Sequence, residues 1–492
     1  MAVGPVVWRG YPHAPAPVRA ILRARRQGEA VVDEGGVALR VGMLRLLFEA
    51  SRAALLRVGC AALGVLARVL CARTAPPLRR DEGSATGPVV LVVPVLPDTS
   101  HTFVYREALA LLAARPSWRC VVLASQPSAP RHREAEALAK NAVFLPRSGV
   151  ASRLFRVAKW LLTSRGRELF ALYRAAENGS CAALLGKRAL ADGREPGNAF
   201  ELAELLRPMR PRHIHVYSST HPTNVAMGAA HLLGAPFSIS SYVDFEFDYS
   251  HKLLAEKFAR ATFFRVVTRH CVGALAAELG VANLDAARVP AIYLGLDLDR
   301  WRDRASMRGE GRIFSAARLV EKKGLRFVPE ALRILRSRGV EARWRVAGDG
   351  PERTAIEAAA RNAGVLDAIV FLGSLDSESV RRELLAADVA ALPCVLASDG
   401  ERDGIPIFLN EAMALGVPVV TTPISGIPEM VRDRETGFLC APSDSSSLAD
   451  ALMLALRDRG AALAVAAAAR DFVHATLDVR ATSAQLLARI EA

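Results

Sequence analysis

From residue 88 onward the chain alternates short apolar runs with longer segments of helical spacing. Val89-Val90-Leu91-Val92-Val93 contains no polar residue; a run of this kind predicts a parallel strand covered on both faces. Thr102 to Ala113 has helical periodicity, Cys120 to Leu123 reads as a second strand, and His213–Tyr217 and Phe237–Ser240 read as further strands. The pattern restarts after Arg300. Arg312–Ser315, Arg343–Ala347, Ala368–Phe371, Val389–Leu392 and Val417–Thr421 are strand candidates with helical segments between them, and Ala461 to Ala492 is helical and Ala-rich. Strand–helix alternation implies right-handed βαβ units. The expected fold class is α/β: two Rossmann-like, doubly wound domains joined near residues 285–305. The cleft lies between the C-terminal edges of their sheets, where open α/β folds bind ligands.

Composition adds a third region. The 492 residues are 51% hydrophobic and 23% charged, ordinary for a folded enzyme of two domains plus an extension. Aromatics are few, which argues against a base-stacking platform for single-stranded nucleic acid. The net charge of +14 is uneven: residues 1–80 hold thirteen arginines and four acids, leaving about +5 for the rest. Residues 1–36, with Pro12, Pro15, Pro17 and the Arg23–Arg26 cluster, read as a basic arm without a secretory h-region. In 43–72, Leu47, Val58, Val65 and Val69 share one helical face, while Arg57 and Arg68 interrupt any run long enough to span a bilayer. A helix on an anionic membrane surface and a helix packed on the enzyme body both fit. Asp81–Gly87 reads as a linker, and Met43 is an alternative start. The seven cysteines (60, 71, 120, 181, 271, 394 and 440) form no close pair, consistent with buried thiols in a reduced cytosolic setting.

The chemistry concentrates late in the chain. In Asp403-Gly404-Ile405-Pro406-Ile407-Phe408-Leu409-Asn410-Glu411, a carboxylate stands before a Gly-Ile-Pro turn and a second carboxylate opens a helical segment. Such a loop leads into a helix whose free N–H groups face an anion. Two carboxylates around that terminus suit sugar hydroxyls, so the arrangement fits a nucleotide-sugar enzyme.

These residues resemble the paired-acid signature (Glu, seven residues, Glu) of retaining GT-B glycosyltransferases of family 4. Further blocks match in order: Ser315 to Gly324, Val346 to Pro351, Phe371 to Ser374, Gly416 to Thr421 and Ser425 to Glu429. Blocks in family order over about 120 residues are far more specific than any one alone. The resemblance covers 88–492 and implies a GT-B fold with an N-terminal helical extension. Its parts are an extension over 1–87, an acceptor domain over 88–300, a nucleotide-sugar domain over 301–475, and a helix over 476–492 crossing back to the first domain.

It also implies roles. Arg318 and Lys323 bind the diphosphate, without a metal or other cofactor; both also fit surface cations at a helix start. Glu411 accepts from ribose hydroxyls, or else merely complements the helix dipole. Ile407, Phe408 and Leu409 offer backbone N–H groups from the loop that Gly404 and Ile405 shape. Asp403 holds the donor sugar where the family usually has Glu, one methylene longer; Glu401 is offset from that place. On the acceptor side, Pro97 to Glu107 is similar to the Ser-Glu-Thr-Phe loop of colanic-acid and exopolysaccharide transferases, with His101 in place of Glu. There Ser100 and Thr102 bind sugar hydroxyls, cap the following helix, or both. Tyr242 stands where relatives have a donor-contacting His; it cannot become cationic at neutral pH. His221 is a substitute from the preceding loop, or simply exposed. Residues 150–195, with Arg153, Arg156, Lys159, Arg165 and Arg167 among apolar residues, look like the basic insertion of polysaccharide-assembling relatives. They are either a solvated helical face or a membrane-facing patch.

The expectation is retaining transfer of a sugar from a nucleotide sugar to a saccharide or lipid-linked acceptor, at the cytoplasmic face of a membrane and without nucleic acid. The rival readings are a catalytically impaired protein that binds a nucleotide sugar or glycan, a GT-B phosphorylase or epimerase, and a basic nucleic-acid binder. No reading motif supports the last.

Overall fold

The computed structural model describes residues 87–492 apart from 99–100, 126–132, 147–148, 177–197, 248–252, 304 and 306–307. The extension over 1–86, its amphipathic stretch 43–72, most of the linker, Ser100 and residues 177–195 of the basic insertion lie outside the described residues.

The described strands form two six-stranded parallel sheets. The first contains β1 (Val89–Leu96), β2 (Arg119–Ser125), β3 (Ala142–Phe144), β4 (His213–Tyr217), β5 (Phe237–Ser241) and β6 (Phe264–Val266), in the order β3-β2-β1-β4-β5-β6. The second contains β7 (Arg312–Ala316), β8 (Arg343–Ala347), β9 (Ile369–Gly373), β10 (Val389–Leu392), β11 (Val419–Thr421) and β12 (Phe438–Leu439), in the order β12-β11-β10-β7-β8-β9. Each sheet reverses direction beside its first strand, which puts a ligand-binding crevice at the strands' C-terminal ends. All eight residues of β1 are buried, as an apolar run flanked by β2 and β4 requires.

Strand edges differ from the pattern in instructive ways. β1 continues to Leu96 through Pro94. β11 starts at Val419, because Pro418 has no N–H, although its carbonyl still accepts from Ala390 (2.9 Å). The short strands β3, β6 and β12 are absent from the pattern. β6 places Arg265 at its centre, fully buried. The guanidinium bonds both Glu107 oxygens at 3.0 Å and the Ile292 carbonyl at 2.9 Å. Glu107 belongs to the helix Thr102–Ala114, so this pair fixes that helix on the sheet. Burial pushes the Glu107 carboxyl up, and Arg265 opposes the shift.

The helix Val479–Glu491 returns to the first domain, where Leu486 and Ile490 share a core cluster with Val89, Val104 and Leu111. Glu491 receives a forked pair from Arg115 at 2.7 and 2.8 Å. The two crossings between the sheets bond each other: Leu296 N–H donates to Leu477 (2.7 Å), and Val479 N–H to Leu296 (2.9 Å). Gly295 permits this approach, since a Cβ there would meet Val479 Cα at 2.4 Å.

The basic helix Val150–Leu161 turns much of its charge onto protein. Arg153 and Arg156 pair with the buried Glu201 at 3.1 and 3.2 Å, and Lys159 with Glu204 at 3.1 Å. Phe155 and Leu162 remain 72% and 73% exposed. Among the described residues, no helix is long and apolar enough to cross a membrane.

Candidate functional site

The loops that follow β7 and β10 are stacked by glycines. At Gly348 (φ 127°) a Cβ would stand 1.8 Å from the Ala317 carbonyl oxygen, and at Gly350 (φ 155°) 2.3 Å from that of Leu319. The segment carrying Arg318 therefore lies directly on the Gly348–Gly350 turn, with Leu319 N–H donating to Asp349 (2.9 Å). Arg318 is exposed, and its guanidinium makes no ion pair or hydrogen bond among the described residues. At Gly324 (φ 64°) a Cβ would come within 1.8 Å of the Pro393 carbonyl. This close approach seats the Glu321–Lys323 turn against the start of the 393–406 loop.

Lys323 Nζ consequently sits 2.7 Å from Asp403 Oδ2, both side chains largely buried. Lys322 stands 4.0 Å from the other oxygen, and Cys394 Sγ donates to Oδ2 at 3.5 Å. Burial would push the Asp403 carboxyl up, but Lys323 and then Lys322 outweigh it and hold it below its ordinary value. Burial likewise pulls the Lys323 ammonium down, and Asp403 more than restores it. Both partners are thus ionised at neutral pH. Lys323, expected from the resemblance at the diphosphate, is here the partner of the first acid. Glu401 pairs with Lys322 at 3.1 Å and does not stand in for Asp403.

Ile407–Ala414 is a helix with Pro406 at its N-cap and no side-chain cap. Leu409 N–H already donates to the Pro406 carbonyl (3.0 Å). Of the three expected backbone donors, Ile407 and Phe408 are therefore the two that lack a capping acceptor. The Phe408 ring packs edge-on against Phe314 at 5.7 Å, and Leu409 is fully buried, so their side chains serve the core. Ile405 and Ile407 are half-buried against the same core. Glu411 follows within this helix, half-buried. Burial raises its carboxyl to about 7, opposed by Arg106 and Arg300 and reinforced by Glu134. Arg106 and Glu134 come from the first domain, so Glu411 lies in the field of both halves.

On the first-domain side, Tyr242 departs from the expected donor contact. Its ring is core, packed on Phe103 at 4.8 Å, and burial holds its phenol well above the ordinary value. What reaches the opposite loop is its backbone: a Cβ at Gly404 would stand 2.9 Å from the Tyr242 carbonyl oxygen. His221 is the exposed first residue of the helix His221–Leu233. Thr102 opens the helix Thr102–Ala114, whose N-cap is His101, with no side-chain cap bond.

Contacts between the halves are the part that sequence reasoning missed. Asp244, after β5, accepts from Arg402 (2.5 Å), His270 (3.2 Å) and Ser425 (3.4 Å). Glu429 accepts the N–H groups of Arg269 and His270 at 2.9 and 2.8 Å, and the Tyr293 hydroxyl at 2.9 Å. Glu429 closes the Ser425 to Glu429 block, whereas Asp244 follows β5 outside the motif blocks; the signal available was their acidity.

Fold and site together define a frame of two parallel sheets with an uncapped helix terminus and the two acids Asp403 and Glu411 in the second half. Residues 299–472 match the family described as Glycosyl transferases group 1. A putative colanic acid biosynthesis glycosyltransferase of Salmonella typhimurium is 36% identical over 208 residues, 42% of this chain and 51% of that protein. An amylovoran biosynthesis glycosyltransferase of Erwinia amylovora is 32% identical over the same share of each. The chain thus spans about half the length of the curated relatives it matches. The crystal structure of Anabaena Alr3699/HepE in complex with UDP and glucose superposes with a TM-score of 0.61 at 14% identity, covering 82% of this chain and 99% of that one. Over residues 299–472 the chain is similar to the group 1 glycosyl transferases, and its two six-stranded parallel sheets form a GT-B fold.

Proposed function

We propose that this protein transfers a sugar, with retention, from a nucleotide-sugar donor to a saccharide or lipid-linked saccharide acceptor in polysaccharide or glycolipid assembly. The observation that carries the reading is the convergence, at one cleft, of Arg318, the Lys323–Asp403 pair and the uncapped terminus of Ile407–Ala414. In this reading the bond between the sugar's anomeric carbon and the diphosphate oxygen breaks as the acceptor oxygen bonds the same face. The acceptor's proton passes to the departing phosphate. Arg318, Lys323 and the N–H groups of Ile407 and Phe408 stabilise the negative charge that develops there, without a metal. Glu411 accepts from the ribose, and Asp403 orients the sugar rather than forming a covalent bond to it. Acceptor-side contacts are assigned to Ser100, Thr102 and His221.

A thermal-shift panel of UDP- and GDP-sugars tests this, since a bound donor stabilises by mass action. Wild type should be stabilised by one nucleotide class, and Arg318→Ala should lose the shift; no shift with any donor would refute the reading. The same panel carries a pH signature. Glu411, raised to about 7, is a carboxylate above that pH and a neutral acid below it. Ribose hydroxyls favour the carboxylate, so donor affinity should rise with pH through 7 and be about tenfold weaker at pH 6 than at pH 8. Glu411→Gln should flatten that profile, and an unchanged slope would remove Glu411 from the ribose.

A second reading, a nucleotide-sugar or glycan binder without turnover, is favoured by the burial of the Tyr242 ring and by the engagement of Lys323 with Asp403. Donor binding with neither transfer nor hydrolysis would select it.

The reading places the enzyme at the inner face of a membrane. Its support is the exposure of Phe155 and Leu162, seven residues apart on one side of the basic helix region. Co-sedimentation with anionic liposomes should drop severalfold in Phe155→Ser/Leu162→Ser, and unchanged pelleting would discard this surface.

A further inference from the structure

Arg402 precedes the proposed donor-sugar acid Asp403, yet its side chain leaves the loop and crosses the cleft. Its Nε donates to Asp244 Oδ2 at 2.5 Å, while its terminal nitrogen donates back to the Gly400 carbonyl at 2.9 Å. Asp244 is nearly inaccessible, and its remaining donors are His270 from its own domain and Ser425 from the opposite one. Three further approaches converge on the same seam. Gly404 lies against the Tyr242 carbonyl, Lys322 Nζ stands 5.0 Å above the Phe245 ring, and Glu429 takes the N–H groups that open the helix Arg269–Glu278. The loop that carries Asp403 is therefore gripped on both sides: by Lys323 within its own domain and, one residue earlier, by Asp244 of the other.

We propose that Arg402 and Asp244 are positioning residues for the transfer reaction: their bond across the cleft fixes the 400–404 loop, so that Asp403 meets the donor sugar only when the two domains are latched at this point. The inference rests on the nucleotide-sugar reading above. Neither residue touches the donor in this scheme. The latch acts on the step in which the sugar must be aligned between leaving phosphate and acceptor, where small displacements of a positioning group are costly in rate. Nucleotide binding through Arg318 and Glu411 does not depend on it.

The test uses the full chain and four variants: Arg402→Gln, Arg402→Lys, Asp244→Asn and the Arg402→Gln/Asp244→Asn double. Three quantities are read: amide hydrogen exchange of residues 399–406, the dissociation constants of UDP and GDP, and the release of UDP from UDP-glucose or of GDP from GDP-mannose. Arg402→Gln and Asp244→Asn should each speed exchange of the loop by about tenfold or more and slow nucleotide release about 30-fold, with nucleotide affinity held within about threefold. The double variant should be no slower than either single, since both remove one contact, and Arg402→Lys should recover part of the rate. Unaltered loop exchange, single effects that multiply, or a nucleotide affinity that falls in step with the rate would each overturn the latch. A wild-type chain that binds neither nucleotide would sink the functional reading instead, and loop exchange would still decide whether Asp244 holds the loop.

Discussion

Lys323→Met should slow sugar transfer by about 10²–10³-fold, the usual cost of removing one preorganised group facing a developing charge. Lys323 contacts Asp403 at 2.7 Å inside a largely closed site, so its loss acts twice. The leaving diphosphate loses a point charge, and burial of the Asp403 carboxyl is then opposed chiefly by Lys322, which is farther away at 4.0 Å. The Asp403 pKa should therefore climb, and residual activity should acquire an acid limb at higher pH than wild type. The sign follows from the order of causes: burial raises this carboxyl, and Lys323 first, then Lys322, with a smaller share from the Cys394 thiol, bring it below its ordinary value. Lys322→Met should be milder, since its main partner is Glu401. Steady-state rates across pH 5 to 9 check both statements. A Lys323→Met enzyme within threefold of wild type, with an unmoved acid limb, would show that this lysine neither holds Asp403 nor meets the phosphate.

Glu107→Ala should destabilise the protein by about 3–5 kcal/mol, because it leaves the fully buried Arg265 without its carboxylate. In a domain of this size the loss corresponds to a fall in Tm of roughly 10 °C. Glu107→Leu combined with Arg265→Met should recover much of the loss, since both charges leave together. Thermal unfolding followed by circular dichroism reads the effect, and a change below 1 kcal/mol would mean that Arg265 finds other acceptors. The Ile292 and Tyr293 carbonyls already take two of its donors, which makes the carboxylate's own share measurable.

The same pair shows where sequence legibility ends. Val89 to Val93 announces a covered strand because every residue is apolar. Phe264-Arg265-Val266 does not, because its central cation is satisfied by an acid 158 positions away, beyond the reach of local periodicity. The proposed phosphate and sugar residues were legible because their order along the chain carries the motif. Arg402 and Asp244 were not; they too are 158 apart, and only the folding of two loops toward one cleft joins them. The residue class misleads at Tyr242, where a side chain able to line a site instead packs on Phe103. Charge misleads at Arg153 and Arg156, whose basic run is answered by Glu201 on a separate helix.

The return of Val479–Glu491 to the first domain has a consequence for biosynthesis. Chains are made from the N-terminus, and domains generally fold as units in that order as they emerge. Here the groove beside Val104 and Leu111 is closed by Leu486 and Ile490, which leave the ribosome only after the whole second sheet has been translated. The first half, made before the second, must wait with an oily flank uncovered while its neighbour matures. Completion of the older domain is thus timed by the younger one.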